Sequence, residues 1–367
     1  AFQNRIAMLD GSEPDDEWVV HEGARSPGLE PPERLPEMVV RDVVVNANDS
    51  HWLSHPERTL EGYPVLCGLE RTARSLRTRQ NLLLGADLAR RGDVTPQDLL
   101  DAVFDNASLT FVLLRDAVVD RCRAASSVDV GDERVDLTAA ADVLAGWDGT
   151  ATLDAVGVVL WRELICRFDD AAWKGAGPLF AVDFDPEDPV STPHTLAPAP
   201  DGGPDPVLVG VAMALQALER AGVAPDARLG DVQWAMRGEQ RVPVHGGGEA
   251  EGMLNVLAPV GALASSTVEP PQESNPLLAG HERTGLADGG YQVTYGTSFL
   301  MVTEMTPDGP DAVGLLAYGQ SGDPSSPHHV DGTRAYAEGR VRPLRFREDQ
   351  IEADPTLRRL VVGPAEE

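Results

Sequence analysis

The stretch Val44-Val45-Asn46-Ala47-Asn48-Asp49-Ser50-His51-Trp52-Leu53 is the most informative part of this chain. It continues Met38–Val45, a run rich in β-branched residues and almost continuously apolar, which predicts a strand buried on both faces. An Asn-x-Asn-Asp loop behind such a strand can point a side-chain amide N–H at a developing negative charge, as an oxyanion hole requires. The alternative is that Asn46, Asn48 and Asp49 only close a turn through hydrogen bonds to the backbone.

The composition describes a globular and strongly acidic chain. Its 367 residues are 42% hydrophobic and exceed the size at which one core usually stops growing, so two lobes are expected. Lys and Arg number 30 against 59 Asp and Glu, which gives a net charge of -29. Because that charge would repel a phosphate backbone or an anionic bilayer, no nucleic-acid or membrane-surface partner is expected. No window has the apolar length of a membrane span.

Cysteine and glycine patterns do not favour a metal or phosphate site. Cys67, Cys122 and Cys166 are widely and irregularly spaced without a C-x-x-C pair, so buried free thiols are expected instead of zinc ligands or a disulfide framework. The glycine run at residues 246–248 is followed by no Walker lysine, which argues against a phosphate-binding loop. No cofactor is predicted.

The middle of the chain has helical periodicity. Thr95-Pro96-Gln97-Asp98 combines an N-cap residue, a proline at the first helical position and an acid in the first turn, so a long helix is expected to begin there. Its apolar stripe continues to Val118, with a break near Asn106 as the alternative. Further helices are predicted over Leu137–Trp147, over Leu153–Phe168, and over Val207–Ala221 with Gly222 at the C-terminal cap.

Beyond Leu229 the pattern changes to strands and glycine-rich turns. Tyr291–Met305 and Ala312–Tyr318, separated by Thr306–Pro310, predict a β-hairpin, and a short closing helix is expected around Asp349–Leu360. The chain is therefore divided into residues 1–67, a lead-in and core strand that carries the Asn loop; residues 68–228, a mainly helical lobe; and residues 229–367, a β-rich part with the hairpin and tail.

A late segment adds to the evidence from the Asn-x-Asn-Asp loop. Gly319–Asp331 reads Gly-Gln-Ser-Gly-Asp-Pro-Ser-Ser-Pro-His-His-Val-Asp. Together the two segments resemble the penicillin acylase family of N-terminal-nucleophile hydrolases, especially its acyl-homoserine lactone and aculeacin-type lipopeptide acylases. Two smaller matches, Gly230–Gln233 with Arg237–Arg241 and Gly296–Phe299, extend the resemblance and look like scaffold. The resemblance implies an α+β fold, namely the four-layer αββα sandwich of these hydrolases with an added mainly helical lobe.

The resemblance also implies how the enzyme is assembled. In this family a serine released by autoproteolysis becomes the first residue of the large subunit, and its own α-amine acts as general base. Ala1 has no hydroxyl or thiol, so the nucleophile is expected outside this chain, which resembles the C-terminal part of a large (β) subunit. The implied partners are a small α subunit and the upstream, nucleophile-bearing part of the β subunit, in a heterodimer matured from a zymogen and secreted or periplasmic.

Four residues of the chain are carried over to the site by resemblance. Asn48 takes the position whose side-chain amide faces the tetrahedral oxygen, and Asn46 and Asp49 support the loop. Arg77 resembles the arginine that family members place near the active-site mouth, with Arg79 as the alternative if the register shifts. The competing interpretation is an exposed helix face, because four arginines in nine residues are usually solvated.

Two other interpretations of the late segment are weaker. The run from Gly319 is not a G-x-S-x-G elbow, because Asp323 stands where the last glycine belongs, so Ser321 is not expected to be a nucleophile. His328 and His329 are adjacent on an extended loop and point apart, so no metal is predicted there. The segment is expected to support the fold.

The expected function is hydrolysis of an N-acyl amide through a serine acyl-enzyme. The form of the Asn loop favours an aliphatic acyl chain, and the implied substrate is an N-acylated lactone, lipopeptide or related natural product. Two alternatives stay open: an acyltransferase on the same fold, and a non-catalytic scaffold that lost its nucleophile. A companion chain beginning with Ser, Cys or Thr would favour the enzyme.

Overall fold

The computed structural model describes residues 21–168, 179–258, 284–360 and 362–363, and within them the chain has a mixed α+β fold, as predicted. Residues 1–20 of the predicted lead-in lie outside the described residues. The helices are α1 (Leu76–Arg91), α2 (Pro96–Phe104), α3 (Leu109–Ala125), α4 (Thr138–Gly146), α5 (Val158–Ile165), α6 (Pro206–Arg220), α7 (Leu229–Val232), α8 (Asp331–Ala337) and α9 (Glu348–Glu352). The strands are β1 (Ser127–Val130), β2 (Glu133–Asp136), β3 (Phe180–Val182), β4 (His194–Leu196), β5 (Gln233–Arg237), β6 (Gln240–Pro243), β7 (Leu257–Ala258), β8 (Leu286–Ala287), β9 (Gly290–Val293), β10 (Tyr295–Gly296), β11 (Phe299–Thr306), β12 (Gly309–Leu316) and β13 (Arg342–Leu344).

Local capping begins and divides the predicted long helix. The Thr95 hydroxyl accepts a hydrogen bond from the Asp98 N–H, and the Asp98 carboxylate accepts one from the Thr95 N–H, forming a capping box before α2. Pro96 occupies the first helical position, as predicted. The apolar stripe to Val118 is divided between α2 and α3, because Asn106 adopts a left-handed φ of 52° between them. The broken helix is therefore the correct alternative.

The other helices of the lobe are confirmed with changed boundaries. Both α4 and α6 closely match their predicted ranges, and Gly222 follows α6 with a left-handed φ of 68°. In contrast, α5 begins at Val158 instead of Leu153. Val156 forms a β-bridge with Arg228, and this pairing keeps the backbone extended just before the helix.

The largest core lies between α3, α4, α5 and α6 and is continued into the β-rich part by buried polar contacts. The Trp161 indole donates a hydrogen bond to Thr110 Oγ1 at 2.8 Å. Arg162 Nε lies 3.1 Å from Glu251 Oε2, and Arg162 Nη1 donates to Gln233 Oε1 at 2.7 Å. Because loss of either ion-pair partner would leave a buried charge, the pair fixes how α5 joins the strands beside it.

The strand predicted over Met38–Val45 is not formed, which corrects the description of residues 1–67 as carrying a core strand. The segment is extended, and the Val45 N–H donates to the Ser54 carbonyl at 2.8 Å. One side faces α1, where a Cβ at Gly85 would lie 3.0 Å from a Val45 methyl; the other side leaves Val44 65% exposed. A strand needs a neighbouring strand for its backbone hydrogen bonds, and the described residues place none beside this segment.

The predicted β-hairpin is confirmed over Phe299–Leu316 with a shorter turn. Its predicted first strand, Tyr291–Met305, is wrong before Phe299, because β9 pairs with β5 and β8 and β10 pairs with β7. β11 and β12 pair antiparallel from Phe299 opposite Leu316 to Thr306 opposite Gly309, and β13 joins the other edge of β12. One face packs on α2 through Leu300, Val302 and Leu100. The opposite face leaves apolar side chains exposed, with Phe299 at 50%, Met301 at 55% and Met305 at 80%.

Three smaller expectations concern the tail, the thiols and membrane spans. The closing helix α9 ends at Glu352, since Pro355 cannot continue it. Cys67, Cys122 and Cys166 are outside disulfides; Cys122 is buried, which raises the pKa of its thiol to about 12, whereas Cys67 and Cys166 are only partly buried. Across the described ranges, no helix combines the length and apolarity needed to cross a bilayer.

Candidate functional site

The Asn48 loop has a backbone shape that its own side chains maintain. Asn48 adopts a left-handed φ of 64°, a conformation that asparagine tolerates better than most residues. The Asn46 Oδ1 atom accepts a hydrogen bond from the Asn48 N–H at 2.9 Å, closing a side-chain turn. Asn46 thus holds the backbone of the loop, and the Asn48 side chain projects from it into an exposed position.

Arg77 fixes the orientation of the Asn48 carboxamide. Its Nη1 and Nη2 atoms donate to Asn48 Oδ1 at 3.1 and 3.0 Å, and Nη1 also donates to the Ala47 carbonyl at 3.0 Å. Because arginine carries only donors, the amide atom that faces it must be the oxygen, and Nδ2 must point away. No described residue accepts a hydrogen bond from Asn48 Nδ2, so both of its hydrogens are available to a ligand.

Behind the loop, Asp49 forms a buried ion pair that sequence reasoning did not identify. Arg74 Nη1 lies 2.9 Å from Asp49 Oδ1, with the two side chains 0% and 8% exposed. The other carboxylate oxygen accepts from the Thr78 hydroxyl at 2.9 Å. Burial lowers the pKa of Arg74, and the Asp49 carboxylate opposes that effect. The pair attaches the loop to the first turn of α1, whose N-cap is Ser75.

A sequence signal for this attachment was present. Arg74, Arg77 and Thr78 are spaced three and four residues apart, so they project from one side of the helix start. The competing interpretation, a solvated helix face, does not hold for Arg74 and Arg77: Arg74 is buried and Arg77 is half-buried. What sequence spacing could not supply was the identity of the segment that this side would contact.

Arg79, the alternative to Arg77, is committed elsewhere. Its guanidinium donates to the carbonyls of Val190, Ser191 and Pro193 at 2.9, 2.7 and 2.9 Å. Burial lowers its pKa to about 10. Of the two candidate arginines, Arg77 is therefore the one that contacts the Asn48 loop, while Arg79 holds the segment before β4.

The segment after the loop is held against it by polar contacts. The Ser50 hydroxyl donates to the Leu69 carbonyl at 2.6 Å, and His51 Nε2 lies 3.0 Å from Glu70 Oε1. The Gly62 and Tyr63 N–H groups also donate to this carboxylate, at 2.9 and 3.0 Å. Burial would raise the pKa of Glu70, but these hydrogen bonds outweigh it and lower the pKa. These contacts fix the segment around Leu69 and Glu70 next to the Asn48 loop.

The late segment uses its polar side chains within itself. His328 Nδ1 lies 2.8 Å from Asp331 Oδ2, whereas His329 Nδ1 lies 3.0 Å from the Ser321 carbonyl. The Ser321 hydroxyl accepts a hydrogen bond from the Asp323 N–H. In the part of the chain that the structure describes, no His, Cys, Asp and Glu side chains group into a metal site. The segment is a self-contained turn leading into α8.

Comparison with known proteins places the chain in a family. The family model for penicillin amidase matches residues 2–353, so the chain belongs to the penicillin amidase family, and the resemblance read from the Asn loop and the late segment is confirmed.

Two curated relatives and one solved structure show the extent of the similarity. Aculeacin-A acylase of Actinoplanes utahensis is 36% identical over 361 residues, which are 96% of this chain and 41% of that protein. Acyl-homoserine lactone acylase PvdQ of Pseudomonas putida is 31% identical over 364 residues, which are 98% and 41% of the two chains. A thermostable penicillin G acylase from Alcaligenes faecalis aligns over 88% of this chain and 57% of its own, with a TM-score of 0.33 and 15% identity. The chain spans about two fifths of the length of the curated relatives it matches.

Proposed function

We propose that this chain is the large-subunit portion of an acylase that hydrolyses an N-acyl amide, with Asn48 as one donor of its oxyanion hole. The observation that carries the proposal is the orientation of the Asn48 carboxamide. Arg77 holds Oδ1 from one side, so Nδ2 is directed outward with no acceptor among the described residues. A preorganised, uncharged N–H donor of this kind stabilises an oxyanion without becoming a nucleophile.

In the proposed mechanism, a serine outside this sequence attacks the acyl carbonyl. The carbonyl oxygen becomes negative as the new C–O bond forms, and Asn48 Nδ2–H donates to it together with a backbone N–H. The α-amine of the serine accepts the proton of its hydroxyl during attack, and when the tetrahedral intermediate collapses and the C–N bond breaks, the departing amine takes that proton. Water then attacks the ester, and the same donors hold the second oxyanion before the acid is released.

Arg77 acts on this chemistry through Asn48, as a positioning residue. Its charge withdraws electron density from the carboxamide oxygen and so strengthens Nδ2–H as a donor. Its two contacts also prevent the carboxamide from rotating, so no reorganisation is needed when charge develops. Asp49 and Arg74 support this arrangement from behind by fixing the loop on α1.

The four-layer αββα sandwich is part of the same proposal. The extended Met38–Val45 segment lacks a partner strand among the described residues, and the outer face of β11 and β12 exposes Phe299, Met301 and Met305. In the proposed sandwich, one additional strand would pair with Met38–Val45, and further strands would cover the exposed apolar face of β11 and β12. This chain matches only 41% of the length of the relatives, so the unmatched part of such a protein is long enough to contain these strands.

The proposed partners and substrate follow from the relatives. A small α subunit and an upstream part of the β subunit that bears the serine would complete a secreted or periplasmic heterodimer. The names of the relatives, aculeacin-A acylase and acyl-homoserine lactone acylase, support an aliphatic N-acyl lipopeptide or lactone as the substrate class.

Turnover of the full-length protein in ¹⁸O-water tests the reaction. N-octanoyl homoserine lactone should release octanoic acid that carries the label, faster than an N-phenylacetyl analogue releases its acid, and mass spectrometry measures both. Acyl transfer is indicated instead if unlabelled product forms only with an added acceptor amine. If a correctly processed protein turns over no N-acyl amide, the chain belongs to a non-catalytic scaffold.

A further inference from the structure

A cavity lies where three segments identified in the sequence meet. Arg237, from the Arg237–Arg241 match, ends β5; Thr297, from the Gly296–Phe299 match, follows β10; and Tyr318 immediately precedes the late segment. All three residues line the cavity, as does Thr333 of α8. Segments that resembled scaffold in the sequence therefore build one shared recess.

The guanidinium of Arg237 lies in this recess, and two of its three nitrogens donate hydrogen bonds to the protein. Its Nε donates to the Thr333 hydroxyl at 2.7 Å, and its Nη1 donates to the Met236 carbonyl at 2.7 Å. The guanidinium carbon lies 4.6 Å from the centre of the Tyr318 ring, in a cation–π arrangement. Nη2 donates to no residue in the described ranges. The group is thus fixed in position with one edge still able to bind.

The charge of Arg237 is not compensated by the protein around it. This half-buried side chain has no carboxylate partner among the described residues, although the chain holds 59 acidic residues and a net charge of -29. The buried Arg74 and Arg162 have carboxylates at 2.9 and 3.1 Å, and the buried Arg79 donates from all three of its nitrogens to carbonyls, whereas Arg237 has neither arrangement among the described residues. A partly desolvated cation without an anion is unfavourable, so the site is suited to an anionic ligand.

The rest of the lining limits the chemistry of that anion. Among the described residues, no Asp or Glu lines the cavity. Beside three threonines and three tyrosines, the lining holds small and branched apolar side chains: Ala235, Val244, Leu257, Val293 and Ala317. A guanidinium beside an apolar floor matches a carboxylate head with a short alkyl tail better than it matches a multiply charged phosphate.

We propose that this cavity binds a short aliphatic monocarboxylate, whose oxygens accept hydrogen bonds from Arg237 and whose alkyl chain lies on the apolar floor. The tyrosine rings at the rim, Tyr295 and Tyr318, are 62% and 43% exposed and leave the entrance accessible. The site requires no turnover, so it stands apart from the reaction proposed for Asn48.

Isothermal titration of the full-length protein tests the ligand class. Hexanoate should bind at least about tenfold more tightly than the neutral hexanamide, because hexanamide forfeits the charge-assisted hydrogen bonds to the guanidinium. Acetate should bind more weakly than hexanoate, by roughly fourfold for each methylene that no longer enters the cavity. Equal affinity for hexanoate and hexanamide overturns the proposal, including the case in which another part of the full-length protein fills the cavity.

A matched pair of variants locates the site. Arg237→Gln should weaken hexanoate binding about tenfold or more, whereas Arg241→Gln should leave it unchanged, because the Arg241 guanidinium stacks on Trp234 outside the lining. If Arg237→Gln does not fold, Arg237→Lys, which keeps the charge but loses the planar fork, should still bind more weakly than the wild type. Equal affinities in the Arg237 and Arg241 variants would assign any binding to another site. Either failure leaves the Asn48 mechanism standing, because that mechanism is tested by turnover.

Discussion

The Asn48 loop and the late segment Gly319–Asp331 both stand out in the sequence, yet the structure gives them opposite characters. In the Asn48 loop, α1 supplies Arg77 and the residue just before its N-cap supplies Arg74; together they fix the loop and leave one amide group facing outward. In the late segment, His328 contacts Asp331 and His329 contacts Ser321, so the polar groups serve the turn itself. The comparison shows two conditions for a polar side chain to be available to a ligand. Another element must fix its orientation, and its own loop must leave at least one of its hydrogen-bonding groups without a partner.

The buried ion pair behind Asn48 should give the largest effect on stability. Asp49→Ala leaves Arg74 without its carboxylate in a buried position, which should lower the unfolding free energy by about 3–5 kcal/mol. Asp331→Ala is the matched control, because it removes an exposed pair with His328 and should cost less than about 1 kcal/mol. Urea denaturation of the two full-length variants measures the contrast. Equal decreases in the free energy of unfolding would show that the two ion pairs stabilise their loops to the same extent.

Removing the outward amide should give the largest effect on activity. Asn48→Ala in the full-length enzyme should lower kcat by about 10²–10³, as loss of one oxyanion donor does elsewhere. Mass spectrometry must first show that the variant is processed like the wild type, since the proposed autoproteolysis would use the same donor. A fully processed Asn48→Ala enzyme with normal kcat would remove Asn48 from the mechanism.

A smaller effect is expected for the residue that orients the amide. Arg77→Met should lower kcat by about ten- to hundredfold with little change in KM, because the Asn48 carboxamide is then free to rotate. Arg77→Lys should recover part of kcat, since an ammonium still donates to Oδ1. Arg79→Met offers the contrast: it should lower the melting temperature and leave kcat of the folded enzyme near normal. A fall in stability without a fall in kcat for Arg77→Met would make Arg77 purely structural.

The smallest expected effect is a pH dependence of stability caused by His245, which contacts the helix that follows the late segment. His245 Nε2 lies 2.9 Å from the Tyr336 carbonyl of α8, its Nδ1 lies 3.0 Å from Asn106 Nδ2, and burial lowers its pKa. The folded protein therefore protonates the imidazole only at a lower pH than the unfolded chain does, and the unfolded chain protonates it below pH about 6.5. The contribution of His245 to the free energy of unfolding is therefore fully present above pH about 6.5. It is lost as the pH falls toward the lower pKa of the folded state, with a slope of at most about 1.4 kcal/mol per pH unit. Melting temperatures of wild type and His245→Phe between pH 5 and 8 should converge at acid pH; parallel curves would contradict this role.

The predictions that the structure confirms depend on neighbouring residues. The capping box at Thr95 needs only a hydroxyl and a carboxylate three residues apart, and the hairpin of β11 and β12 needs only two apolar runs around a turn. The strand predicted over Met38–Val45 failed for the complementary reason. Its composition suits a strand, but strand formation depends on a partner that its own sequence does not specify.

The sequence by itself determined the family, the α+β character, the start of α2 and the Asn-x-Asn-Asp loop, because each is encoded in residue types at short spacing. Only the tertiary structure decided which arginine holds Asn48, which carboxylate pairs with Arg74, and that Arg237 faces a cavity with no carboxylate partner among the described residues. The contact between Arg77 and Asn48 joins positions 29 residues apart. Contacts over such distances are set by how α1 packs on the loop, and packing depends on the whole chain at once.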